Sequence, residues 1–253
     1  MMTLAAPLAP LLFGSFILEF LVRSKFVPSY ILPAPSEIAI SLYTDRFEYL
    51  MGFFATAKAA LIGLVLSFVA GTSAALLLSL SPWLRKAFLP YATFFQTVPI
   101  IAIAPVLVIW FGFGPPTVIA SSFIVSLFPI IANSMLGLQS AEPRLLDLFR
   151  IHRASRLATL WKLQLPAALP AIFSGLRIAS GLAVIGAIVG EFIAGGGLGE
   201  VVDAARTQQR LDKVFAAVFL SSFLGLFLVV LIDFISRRML RSWYADESAE
   251  QRP

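Results

Sequence analysis

Few side chains in this 253-residue sequence could carry chemistry. It has one histidine, His152, and no cysteine, so disulfides, iron–sulfur clusters, thiolate zinc sites and His-pair metal motifs have no residues to build them. No H-E-x-x-H, G-x-S-x-G or G-x-x-x-x-G-K-[ST] element occurs, which leaves this chain without the motifs of zinc hydrolysis, acyl transfer or nucleotide hydrolysis. The run Gly195-Gly196-Gly197-Leu198-Gly199 follows an apolar span instead of a strand, so it reads as a flexible outer turn and not as a dinucleotide loop. Two groups remain. Residues 139–166 mix charge with apolar periodicity, which suits contact with a partner or with lipid headgroups. Gln96, Thr97 and Asn133 are polar groups inside long apolar runs, where they can line a path or bond a neighbouring helix.

The elements that must position these groups follow from composition. A hydrophobic share of 59% and a charged share of 13% stand apart from the roughly 45–50% and 25% of a soluble domain. Residues 87–141 carry no charged side chain, more than twice the roughly 20 residues of one bilayer crossing. The expected fold is all-α and polytopic, with six transmembrane helices at about 5–22, 56–80, 87–110, 117–138, 168–192 and 214–236. Gly112-Phe113-Gly114-Pro115-Pro116 breaks the long uncharged stretch, making crossings three and four a tight hairpin. Prolines 28, 33 and 35 place residues 23–55 in an outer loop, with a short helix starting at Ser36-Glu37.

Orientation follows from basic residues. Arg85, Lys86, five between Arg144 and Lys162, and four between Arg237 and Arg252 lie on the side of both termini, against seven from Arg23 to Lys213 on the other. The excess predicts cytoplasmic termini and a cytoplasmic loop between helices four and five. It also accounts for the net charge of +5 without nucleic acid as a partner. Residues 1–18 lack the basic start of a cleaved signal, so the first span is expected to be retained. The chain reads as one transmembrane domain over 1–253, with a core of about 53–240, a coupling segment of about 139–166 and a solvated end at Asp246–Pro253.

Within the loop, Pro143 suits a first helical turn, and Arg144, Asp147 and Arg150 recur beside Leu145, Leu148 and Phe149. A second short helix is expected from Ser155, carrying Leu157, Leu160 and Trp161 and stopping before Pro166. Along the path, Gln96 with Thr97 lies near the expected middle of helix three, where Pro99 and Pro105 loosen the backbone; Gln96, Thr97 and Pro99 are the pathway candidates. Asn133 is expected to bond another helix. Arg177 and Glu191 fall near opposite faces, so neither has to be a buried substrate charge. Gly186-x-x-x-Gly190 predicts close helix packing, expected in a dimer of this chain.

Asp147-Leu148-Phe149-Arg150-Ile151-His152-Arg153-Ala154-Ser155, followed by Leu165-Pro166-Ala167-Ala168-Leu169-Pro170, resembles the EAA loop of ABC importer permeases. Gln96-Thr97-Val98-Pro99-Ile100, Trp110-Phe111-Gly112-Phe113-Gly114, Phe128-Pro129-Ile130, Gly175-Leu176-Arg177 and Gly197-Leu198-Gly199 extend the likeness, which resembles the nitrate/sulfonate/taurine branch. The resemblance implies a multi-pass inner-membrane subunit that imports a small solute by alternating access: an anion of the nitrate, sulfonate or taurine kind, or a small heterocycle. It implies no cofactor on this chain, with ATP and Mg on partner cytoplasmic ATP-binding subunits. It further implies a second permease copy, most simply a homodimer, and an external solute-binding protein, all in membrane lipid. Coupling would fall to Asp147, Leu148, Phe149, Arg150, His152, Arg153 and Ala154. Two departures stand out: Leu148-Phe149 replaces Ala-Ala, and Arg153 replaces a glycine suited to a left-handed turn. The rivals are an intramembrane enzyme, which lacks any motif, and an ion-gradient-driven secondary transporter, which would need ionisable groups at mid-membrane.

Overall fold

The computed structural model describes residues 2–26, 28 and 31–240. The expected solvated end at Asp246–Pro253, with Arg241 and Arg252 of the charge count, lies outside the described residues. The described elements are all helical: α1 (Met2–Arg23), α2 (Pro35–Thr44), α3 (Arg46–Ser79), α4 (Pro82–Thr97), α5 (Ile100–Phe111), α6 (Pro115–Leu138), α7 (Pro143–Ile151), α8 (Arg156–Thr159), α9 (Leu165–Ala194), α10 (Gly197–Thr207) and α11 (Leu211–Met239), with a π-helical turn at Leu160–Gln164 between α8 and α9.

Among the described residues four helices are long and apolar enough to cross a membrane: Arg46–Ser79, Pro115–Leu138, the continuous stretch Arg156–Ala194, and Leu211–Met239. On α11 the uncharged residues 214–232 span about 28 Å at roughly 1.5 Å per residue, close to a hydrocarbon core of about 30 Å. The expected third crossing at 87–110 is not one helix. Val98 is extended, with ψ 122°, and the chain restarts as α5 from Pro99. Proline disfavours helical backbone in the residue before it and has no N–H to donate, so the ladder ends there. Pro105 and Pro129, by contrast, are carried inside α5 and α6.

α3, α6 and α9 form the centre of the bundle and α11 closes it, with Ala60, Val118, Ala187 and Leu224 meeting in one buried cluster. Small residues set the spacing. Ser67 Oγ lies 2.7 Å from Ser126 Oγ across α3 and α6, and a side chain added at Gly63 would collide with Ser122. Gly186 and Gly190 do pack closely, but their partner is α6 of the same chain, at Val118, Ser121 and Ser122, and not a second copy. α1 is fastened to α2 through Glu19, which accepts from Ser36 N at 3.0 Å and Ser36 Oγ at 2.8 Å and pairs with Arg23.

The bundle has two poles. One holds the end of α3, α7, α8 and the start of α9, with an Arg177–Asp233 ion pair at 3.2 Å tying α9 to α11. The other holds α2, α10 and the start of α3 and α11, where Arg210 and Lys213 pair with Asp45, Glu48 and Asp212. The outer loop expected over 23–55 is therefore short, because α2 and the first turns of α3 occupy much of it.

Candidate functional site

The coupling segment is built on α7, a nine-residue helix with no buried side chain. Leu145, Leu148 and Ile151 recur every three residues and are all exposed, Leu148 at 47% and Ile151 at 76%. Phe149 is half-buried and Leu146 lines a cavity of about 440 Å³ shared with Ser79, Leu80, Arg156 and Gln164. One side of α7 thus rests on the protein and the other carries an uncovered apolar stripe. Asp147 and Arg150 pair at 3.0 Å on the exposed surface, a contact that contributes little by itself.

The turn after α7 takes the left-handed conformation that a glycine would favour, with Arg153 at φ 51°. His152 N donates to Leu148 O at 3.1 Å, Arg153 N to Arg150 O at 2.9 Å and Ala154 N to Phe149 O at 2.9 Å, closing the helix end in the Schellman manner. His152 and Arg153 are exposed and Ala154 faces the 440 Å³ cavity. A non-glycine residue in this conformation costs about 1 kcal/mol. Arg153→Gly is therefore expected to raise the midpoint of thermal unfolding of the purified permease by a few degrees, and unchanged or lower stability would show that the Arg153 side chain compensates for the strain.

Ser155 caps α8 by accepting from Ala158 N at 3.2 Å. The second helix does not stop before Pro166 as expected. The π-helical turn lets Leu165 N reach back to Leu160 O, and the helix runs through Pro166 into α9. Widening the turn shifts the hydrogen-bond register where proline lacks a donor. Arg156 Nη1 donates to Leu80 O at 3.4 Å, seating the segment on the end of α3. α8, the π-helical turn and α9 are consequently one continuous helical stretch, Arg156–Ala194, joined to α7 by the turn at 152–155.

Gln96 lies in the last turn of α4, just before the break. It lines a cavity of about 490 Å³ with Phe95, Phe128, Asn133, Ile178 and Leu182. Thr97 and Pro99 are outside this lining: Thr97 Oγ1 donates to Phe94 O at 2.7 Å, and Pro99 precedes the first turn of α5. Asn133, expected to bond another helix, donates from Nδ2 to Pro129 O within α6 at 2.8 Å. Its side chain packs on Gly175 of α9. Phe95 and Phe128, whose rings stack with centroids 5.7 Å apart and planes 8° from parallel, complete the site. The polarity of Gln96 and Asn133 within an apolar run was the available signal, whereas nothing in sequence spacing pairs Phe95 with Phe128.

At the opposite pole, Glu191 is 2% exposed. It accepts from Thr56 Oγ1 and Gly199 N, both at 2.9 Å, while Thr56 Oγ1 accepts from Leu198 N at 2.9 Å. Of the four glycines in the run 195–199, Gly195, Gly196 and Gly197 have positive φ, and helix α10 begins at Gly197. The expected flexible turn is thus a short one, held by a buried carboxylate at the positive end of a helix. Glu191 joins α3, α9 and α10 and is distant in sequence from the cavity residues on α4 and α6.

Comparison with known proteins gives one consistent answer. Residues 63–241 match the family described as binding-protein-dependent transport system inner membrane component. A "Probable ABC transporter permease protein" of Haemophilus influenzae is 38% identical, over 85% of this chain and 88% of its own length. The formylaminopyrimidine transport permease ThiX of Halalkalibacterium halodurans is 38% identical, over 78% and 80%. The riboflavin transport system permease RibX of Chloroflexus aurantiacus is 31% identical, over 86% and 82%. Among solved structures, an inward-facing MetNI methionine ABC transporter chain superposes with a TM-score of 0.65 at 20% identity, covering 77% of this chain and 95% of that one. At that identity the superposition speaks for the fold.

Proposed function

The chain belongs to the family of binding-protein-dependent transport system inner membrane components, as the permease part of an ABC importer, and from that premise we propose how its parts divide the work. Two copies sit in the inner membrane, each crossing it six times with α1 and the α4–α5 pair completing the count, and both termini face the cytoplasm. One domain spans 1–253, around a core of about 53–240. ATP-binding subunits, which hold ATP and Mg, dock on α7 through Leu148 and its neighbours Asp147, Phe149, Arg150, His152, Arg153 and Ala154. An external solute-binding protein delivers a small solute to the opposite pole, and the solute passes Gln96 and the α4–α5 break with its Thr97 and Pro99. The family favours this ATP-driven import over an ion-gradient-driven exchange.

The observation that carries the proposal is the exposed apolar stripe of α7, which a four-residue turn joins to the continuous helical stretch Arg156–Ala194. A closing motion of the docked partners would move α9 as a rigid body, and α9 forms part of the cavity wall through Ile178 and Leu182. The path is tested at Gln96, which is exposed and so tolerates replacement. Gln96→Leu should lower ATP-driven uptake about tenfold, as expected for loss of one hydrogen bond of roughly 1.4 kcal/mol, with co-purification of the ATP-binding subunits unchanged. Wild-type uptake by the assembled variant would remove Gln96 from the path, and loss of folded protein would assign it a structural bond.

A further inference from the structure

The cavity of about 440 Å³ beside α7 carries charge of one sign. Arg150 of α7 and Arg156 of α8 both line it, with Thr159 and Gln164 as further polar groups and no carboxylate among the described residues of its wall. Its volume falls within the roughly 300–1,000 Å³ of small-ligand sites. It shares no lining residue with the 490 Å³ cavity at Gln96. At about 3.6 residues per turn, Leu146 and Arg150 stand roughly opposite Leu148 on α7. The cavity therefore lies behind the apolar stripe, on the side turned to the end of α3 and to α8.

Neither guanidinium is used up. Arg150 makes one contact, to Asp147 at 3.0 Å on the exposed surface, and Arg156 donates to Leu80 O at 3.4 Å. Each guanidinium has five N–H donors, so most remain for another partner. Guanidinium groups bind phosphate through paired, parallel hydrogen bonds. The tetrahedral oxygens of a phosphate can accept from two such forks at once, whereas a single carboxylate is satisfied by one. From Glu142 to Lys162 five basic residues stand against two acidic ones, a balance that draws anions to this pole. Trp161, 57% exposed, lies beside the exposed Lys162, a combination suited to the headgroup level of a bilayer.

We propose that this cavity binds a phosphate group between Arg150 and Arg156, from a phospholipid headgroup or from a free phosphorylated solute. The two arginines stand on either side of the turn at 152–155, and α7 buries no side chain of its own. An anion held from both sides braces α7 against α8, so that a push on α7 reaches α9. That consequence rests on the docking of α7 proposed above; the site itself does not.

The test uses the purified full-length permease in dodecyl maltoside, which contains no phosphate. Inorganic phosphate is titrated against chloride at constant ionic strength, and cardiolipin is added separately in phosphate-free buffer. At least one of them should raise the thermal unfolding midpoint saturably, by about 5 °C. Arg156→Gln should abolish the shift, which separates site binding from the general stabilisation that phosphate gives at high concentration. Lys162→Gln, at a position outside the cavity wall, should keep it. If Arg156→Gln is not recovered folded, Arg156→Lys replaces it and should weaken the response several-fold, because lysine keeps the charge and loses the fork. A response to inorganic phosphate supports a free phosphorylated solute, and a response to cardiolipin alone supports the headgroup. No shift with either, or a shift that survives in the Arg156 variant, overturns the site. A midpoint that moves only once ATP-binding subunits are bound would give the cavity to their acidic side chains and overturn it as well. In the whole assembly the same anion should raise solute-stimulated ATP hydrolysis several-fold, and unchanged hydrolysis despite a midpoint shift would overturn the bracing role.

Discussion

Replacing Leu148 by Asp is expected to release the ATP-binding subunits while the permease itself stays folded in the membrane. Leu148 lies at the centre of the stripe formed with Leu145 and Ile151, on the side of α7 turned away from its own chain, and is 47% exposed. Removing it therefore costs the isolated permease almost nothing. In a complex, a central apolar anchor contributes about 2 kcal/mol or more, which corresponds to roughly thirtyfold in affinity. A carboxylate in its place adds the desolvation of an unpaired charge. The exposed Asp147–Arg150 pair contributes far less, so Asp147→Asn should weaken docking only slightly. Phe149→Asp is the less informative variant, because Phe149 is half-buried against its own chain and its loss would disturb fold and docking together. Co-purification of Leu148→Asp with the ATP-binding subunits at wild-type ratio, with hydrolysis still solute-stimulated, would make α7 a helix that lies on lipid and not the coupling element.

The amphipathy of α7 and the cap at Ser155 were legible because both are local: spacing and residue type decide them within one turn. The left-handed turn at Arg153 was legible only through the family resemblance, since arginine gives no hint of it. The break at Val98–Pro99 was hidden by the lack of charge from residue 87 to 111, in which three prolines, Pro90, Pro99 and Pro105, look alike and only Pro99 follows a helix end. Pro166 misled in the opposite sense, because a π-helical turn carried the helix past it. Glu191 shows the limit most plainly. Its burial depends on Thr56, 135 positions away in sequence, and no pattern along the chain encodes that pairing.

The same limit applies to the glycines of α9, and it sets up the second large effect. The spacing of Gly186 and Gly190 predicts close approach of a helix without saying which one. The structure answers α6: a Cβ at Gly186 would stand 2.8 Å from Ser121 O and 2.8 Å from Ser122 Cα, both backbone atoms that side-chain rotation cannot move. Even alanine must therefore push α6 and α9 apart along the most extensive helix contact in the bundle, and such overpacking costs about 1–3 kcal/mol. Gly186→Ala is expected to lower the thermal unfolding midpoint in detergent by roughly 5 °C, and Gly186→Leu to prevent recovery of folded protein. Gly181 supplies the control on the same helix, because the nearest atom to its added Cβ is Val229 Cγ2 at 3.7 Å. Gly181→Ala should be neutral or slightly stabilising, since alanine is the better helix former. Since the contact lies within one chain, the loss should appear in the stability of the single permease and not as a shift from dimer to monomer. Dissociation of otherwise stable protomers in Gly186→Ala would return these glycines to the interface between copies, and wild-type stability would mean that α6 and α9 do not touch at this depth.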